Sequence, residues 1–195
     1  MAPRDPKPPS SLSPNPGPEN TPANLWAPWR LGYLESLDEQ GPPPAKASPT
    51  GCFLSDYWLD PHDDEKNHVI VRTPEGLILL NAYPYANGHL LVALGEGRPT
   101  LLDYEPAQRA TLWRLVDTAA ELMQAALEPQ GINIGINQGR AAGAGVPGHL
   151  HVHLVPRWAG DVNFISVVGQ IRVIPSALEQ MAQRYRAAWN RLLET

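Results

Sequence analysis

Residues 148–158 read Gly148-His149-Leu150-His151-Val152-His153-Leu154-Val155-Pro156-Arg157-Trp158, and from His149 to Leu154 histidine alternates strictly with apolar side chains. A period of two is that of a β-strand. It predicts His149, His151 and His153 on one face, looking into an open site, and Leu150, Val152 and Leu154 on the other, against a core. Upstream, the apolar runs at 69–72 and 77–80 flank Thr73-Pro74-Glu75-Gly76, which predicts strand, turn and strand. A loop at 81–88 leads to a third apolar run at 89–94. From Glu105 to Glu128 the apolar residues Leu112, Leu115, Val116, Ala119, Leu122, Met123 and Leu127 recur at helical spacing, with Pro106 in the first turn and Pro129 and Gly131 as stops. Residues 132–137 alternate apolar with small or polar side chains and predict another half-buried strand, followed by a glycine-rich loop that ends at the histidine row. After an apolar stretch at 167–174, Ser176 and Glu179 form a capping-box signal for a last helix. Leu178, Met181, Tyr185, Trp189 and Leu192 make its apolar face.

Composition changes this picture mainly at the N-terminus. Residues 1–23 are rich in Pro, Ser, Asn and Gly and cannot bury enough apolar surface to offset their ordering entropy, so a disordered tail is expected there. Residues 24–195 then form one domain, a length sufficient for a proper core. Its first part, residues 25–34, carries Trp26, Trp29 and Tyr33 and reads as a packed arm, on its own core or on a neighbouring subunit. Residues 39–50 read as a surface loop. The net charge of -5 argues against non-specific nucleic-acid binding, which needs a basic surface, but leaves room for a small polyanion held by a local cluster of donors. A single cysteine, Cys52, cannot form an internal disulfide, so a reducing cytoplasm is the expected compartment. No signal-peptide core and no run long enough to span a bilayer is present in the sequence.

Two chemistries compete for the histidine row, beside the plain alternative of three surface histidines on an amphipathic strand. Imidazole is a common zinc ligand, but His149 and His153 start roughly 13 Å apart on a strand, and no nearby carboxylate completes a set. Nucleophilic catalysis fits better: one imidazole attacks while a neighbour donates to developing charge on a phosphoryl group.

The run His149-Leu150-His151-Val152-His153-Leu154-Val155 resembles the defining motif of the histidine-triad (HIT) superfamily, His-x-His-x-His-x-x with apolar x. With its extension through Phe164 it is similar to the bacterial branch containing dinucleoside tetraphosphate phosphorylases and related hydrolases. The resemblance covers residues 25 to the C-terminal helix. It implies an α+β, HIT-like fold: an antiparallel sheet of about five strands, a long packed helix and a C-terminal helix, usually paired into a homodimer. It implies cleavage at the α-phosphate of dinucleoside polyphosphates, with His151 as nucleophile and His149 and His153 flanking it. Asn137, or the adjacent Gln138, would contact the leaving-group oxygen. Asn81 would bind ribose, and Gly145, Val146, Trp158 and Phe53 would complete the substrate site. Related proteins often carry Cys-x-x-Cys near position 52 with a zinc completed by two histidines. Here Ser55 replaces the second cysteine and Gly95-Glu96-Gly97-Arg98-Pro99 lacks the further histidine, so no metal site and no cofactor is expected beyond Mg²⁺ arriving with a polyphosphate. His62 and His68 read as loop and strand-edge residues. A metal-dependent hydrolase using the row, or a non-catalytic nucleotide-binding protein, is the alternative.

Overall fold

The computed structural model describes residues 48–161 and 176–194. The expectations for the Pro-rich tail, the aromatic arm at 25–34 and the apolar stretch at 167–174 lie outside the described residues. Five strands form one sheet: β1 (Val69–Arg72), β2 (Gly76–Leu80), β3 (Leu90–Leu94), β4 (Gly131–Ile136) and β5 (His151–Arg157). Their order is β1-β2-β3-β5-β4, and every neighbouring pair is antiparallel. The α-helices are α1 (Phe53–Leu59), α2 (Pro106–Leu127) and α3 (Leu178–Leu193). This is the α+β architecture that the resemblance implied.

α2 follows the sequence closely. All seven residues of the expected stripe are buried, Pro106 opens the helix behind a Glu105–Gln108 capping box, and Glu128 ends it in a left-handed conformation. α3 departs from expectation at its start. Ala177, not Ser176, is the N-cap residue, and no side chain caps the helix. The Ser176 hydroxyl instead accepts a hydrogen bond from the Asn87 amide, 3.4 Å away, in the loop before β3.

α2 and α3 cover one face of the sheet. Ile78, Leu80, Leu90, Val92, Val152 and Leu154 meet Leu112, Val116, Met123, Met181 and Tyr185 there. Because side chains alternate across a strand, Leu77, Leu79, Leu91 and Ala93 point to the other face, where they pack with Val69 and with Leu54 of α1. β2 and β3 are therefore buried on both faces, which is why they read as unbroken apolar runs.

α1 has no counterpart in the sequence reading. Seven residues are too few for an isolated helix in water, so packing must hold it. Arg72 of β1 donates from Nη1 to Trp58 O (2.8 Å) and from Nη2 to Tyr57 O (2.5 Å), and pairs with Asp64. The Trp58 ring occupies the space a Cβ on residue 95 would need, so only glycine fits there. β4 is an edge strand and more exposed than expected: Ile132 and Ile136 pack against the helix-side core, whereas Ile134 is 46% exposed. Among the described residues no helix is long and apolar enough to cross a membrane.

Candidate active site

β5 lies between β3 and β4, with His151 opposite Ala93 and His153 opposite Leu91 on one side and Gly135 on the other. The small side chains at 93 and 135 leave space beside the imidazoles. The row is less open than expected: His149 is 1% exposed, His151 5%, and only His153 is half-buried. His149 precedes the strand, and α1 covers that end of the face.

Each imidazole has a defined proton. His151 Nδ1 is 2.9 Å from the main-chain carbonyl of His149. A carbonyl only accepts, so Nδ1 carries the hydrogen and Nε2 keeps its lone pair. Burial pushes the His151 pKa below 6.5, against the opposing pull of that carbonyl, and the ring is neutral at pH 7.

His153 has the opposite tautomer. The Tyr85 N–H donates to His89 Nδ1 (3.1 Å), so His89 carries its hydrogen on Nε2 and donates to His153 Nδ1 (3.0 Å). His153 then holds its own hydrogen on Nε2. The Tyr85 ring stacks on both, at 4.8 Å from His89 and 5.7 Å from His153. The sequence reading passed over His89 as the first residue of an apolar strand. Its signal was a histidine embedded in that run in a chain with only six.

A cleft of about 190 Å³ opens beside His153, lined by Tyr85, Asn133, Ile134, Gly135, Asn137 and Val155. A larger cavity of about 260 Å³, against the start of α2, contains Glu75 and Glu96 and none of the histidines. Two carboxylates make it unsuited to a polyanion.

The other sequence candidates separate by placement. Asn137 lines the cleft, whereas Gln138 Oε1 is held by the Leu101 N–H (2.9 Å), so the two amides are not interchangeable. Asn81 accepts from the Tyr83 N–H (2.9 Å), and its amide lies 3.2 Å from His89 Nδ1. Gly145 is exposed in the glycine-rich loop, and the Val146 carbonyl accepts the His149 N–H (3.2 Å). Phe53 starts α1, edge-on to Tyr57 at 5.3 Å. Trp158 packs against the helix-side core, away from the histidine face. His62 lies in a short 3₁₀ turn and His68 directly precedes β1.

Cys52 and Ser55 of the α1 region converge on His149. Sγ and Oγ each lie 3.3 Å from its Nδ1, and its Nε2 is 2.8 Å from Leu94 O. Burial pushes the Cys52 thiol up, but the His149 imidazole and the Ser55 backbone and hydroxyl together pull it down, to about 7.

A five-stranded antiparallel sheet with a histidine row on its fourth position, beside a glycine-rich loop, defines an α+β protein of the histidine-triad class. The HIT domain family matches residues 63–160, and the chain belongs to that family. It is 35% identical over 167 residues to the AP-4-A phosphorylase of Mycobacterium tuberculosis, covering 86% of this chain and 84% of that protein. It is 33% identical over 95 residues to the asymmetrical bis(5'-nucleosyl)-tetraphosphatase of Schizosaccharomyces pombe, 49% of this chain and 52% of that protein. Among solved structures, a Zn-bound histidine triad family protein from Mycobacterium smegmatis matches with a TM-score of 0.61 and 28% identity, over 74% of this chain and 97% of that one.

That neighbour's zinc calls for a test of fit. Structural zinc takes four ligands, almost always thiolate or imidazole. The groups meeting at His149 are one thiol, one hydroxyl and one imidazole. Among the described residues no cluster of three or more His, Cys, Asp or Glu could hold a metal. The donor set does not fit zinc.

Proposed function

We propose that this protein cleaves dinucleoside polyphosphates, such as diadenosine tetraphosphate, through a nucleotidyl-histidine intermediate on His151. One observation carries the reading: a buried, neutral His151 with its hydrogen fixed on Nδ1 stands next to a His153 whose hydrogen is fixed on Nε2. The first is a nucleophile with its lone pair on Nε2, and the second is a donor.

His151 Nε2 attacks the α-phosphorus, and the bond to the bridging oxygen breaks as the polyphosphate nucleotide leaves. His153 donates to the phosphoryl oxygens, and Asn137, in the same cleft, donates to the bridging oxygen. Phosphate or water then attacks the α-phosphorus and releases His151. His149 takes part through its carbonyl, since both its ring nitrogens face protein atoms. Asn81 serves the ribose, the Gly145–Val146 backbone the phosphates and Phe53 the nucleoside; Gln138 and Trp158 are held elsewhere. Mg²⁺ arrives with the substrate, and no resident zinc takes part.

The likeness to the M. tuberculosis protein over most of both chains supports this reading and favours phosphate as the acceptor. We further assign a homodimer, supported by the exposed edge strand β4 with Ile134 on it. Incubation with diadenosine tetraphosphate and inorganic phosphate is expected to give ADP plus ATP, where hydrolysis gives AMP plus ATP. An absence of turnover under both conditions contradicts the reading.

A further inference from the structure

β5 and its neighbours supply the reacting groups, and the α1 region, through the Cys52 thiol and the Ser55 hydroxyl, reaches the first histidine of the row. We propose that α1 is the positioning element of the nucleophile: Cys52 and Ser55, converging on His149 Nδ1, hold the His149 main-chain carbonyl against His151. The proposal rests on the assignment of His151 as nucleophile and adds two positioning residues to it.

The geometry forms a chain of defined polarity. Leu94 O can only accept, so the His149 hydrogen is on Nε2 and the Nδ1 lone pair faces α1. The Ser55 O–H, and the Cys52 S–H in the protonated thiol, each 3.3 Å away, are the donors available to it. The imidazole is thereby held at both ends, by the last residue of β3 and by α1. Its main-chain carbonyl in turn receives Nδ1–H of His151 at 2.9 Å. The same peptide unit is anchored at Leu150 N, which donates to Arg98 O (2.8 Å), and the held ring adds a side-chain restraint. A His149 residue shifted by loss of that restraint would lengthen the bond to His151, which would then lose its preference for the tautomer that leaves Nε2 unprotonated.

Two glycines support the same conclusion. Position 95 has no room for a Cβ because Trp58 of α1 lies on it, and a Cβ at position 97 would stand 2.7 Å from His149 Nδ1. The segment after β3 is glycine where α1 and His149 rest upon it. Arg72 fixes the far end of α1 through the Trp58 and Tyr57 carbonyls. This corner is closed by hydrogen bonds, where the donor set could not close it with a metal.

The test uses the full chain with ¹⁵N-labelled histidine, read by long-range ¹H–¹⁵N spectra beside steady-state kinetics. In the wild type, His149 should be the Nε2–H tautomer and His151 the Nδ1–H tautomer. Cys52→Ala/Ser55→Ala should lower kcat by about five-fold, the size of one neutral hydrogen bond, at unchanged KM. It should also mix the two tautomers of His151, while Cys52→Ser alone keeps the wild-type spectrum. Gly97→Ala displaces the His149 ring without touching α1 and should mix the tautomers in the same way. The wild-type spectra test the assignment even if the double variant does not fold. The proposal is overturned if His149 carries its hydrogen on Nδ1, or if the double variant keeps a single His151 tautomer, whatever happens to its melting temperature. A wild-type protein that turns over no dinucleoside polyphosphate would sink the functional reading alone, because the spectra are recorded without substrate.

Discussion

His151 and His153 stand two residues apart on one strand yet carry opposite tautomers, because one meets a carbonyl and the other a histidine N–H. That difference has a pH consequence. The folded pKa of His151 is depressed, so the fold favours the neutral ring. Its contribution to stability is present above the unfolded value of 6.5 and is lost as pH falls through the lower folded value. The acid limb of kcat/KM should accordingly lie below pH 6.5, and a limb at or above it would show that the nucleophile is not this buried imidazole. His89 acts one step away. Removing it leaves His153 Nδ1 without its donor, so His89→Ala should cost about 10–100-fold in kcat, as losing a group that orients a functional imidazole does. Steady-state kinetics would check this, with His89→Gln, which retains an N–H donor, recovering part of the loss. The parity of the row was legible in the sequence because it depends only on neighbours. The burial of His149 was not: the residues that cover it, Cys52 and Ser55, are 97 and 94 positions away.

At the scale of elements, the sequence was most readable where one face alone decides burial. α2 shows its full stripe, since a helix between core and water must alternate with the helical period. β4 reads as half-buried but lies at the sheet edge, where only Ile132 and Ile136 reach the core. No local pattern distinguishes an edge strand from a central one. The same strand carries the dimer assignment: Ile134→Lys places a charge on the exposed edge and should convert the dimer to a monomer with turnover or stability altered. Sedimentation velocity checks it, and a monomeric wild type would contradict the assignment. α1 was invisible for a different reason. Its short length carries no periodicity, and it exists because Arg72, Trp58 and the second apolar cluster hold it in place.

Over the whole molecule, a net charge of -5 is set against a polyanionic substrate, and burial keeps the His151 imidazole neutral. Recognition in this account therefore rests on directed N–H donors rather than on bulk charge. The fold class could be stated beforehand because strands, long helix and histidine row recur in a known order; the closed corner at His149 could not, since Ser55 breaks the Cys-x-x-Cys pattern and nothing local says what Cys52 and Ser55 bond instead. The central claim is the covalent one. With substrate labelled in the nucleotide, a wild-type reaction quenched in alkaline denaturant during turnover should yield a labelled peptide containing His151. His151→Ala should give neither label nor turnover while remaining folded and binding nucleotide. His153→Ala should still label, more slowly by the about 2.7–4 kcal/mol that one lost donor to a transition-state oxyanion costs. Turnover with no labelled histidine, or substantial activity in His151→Ala, would contradict the account.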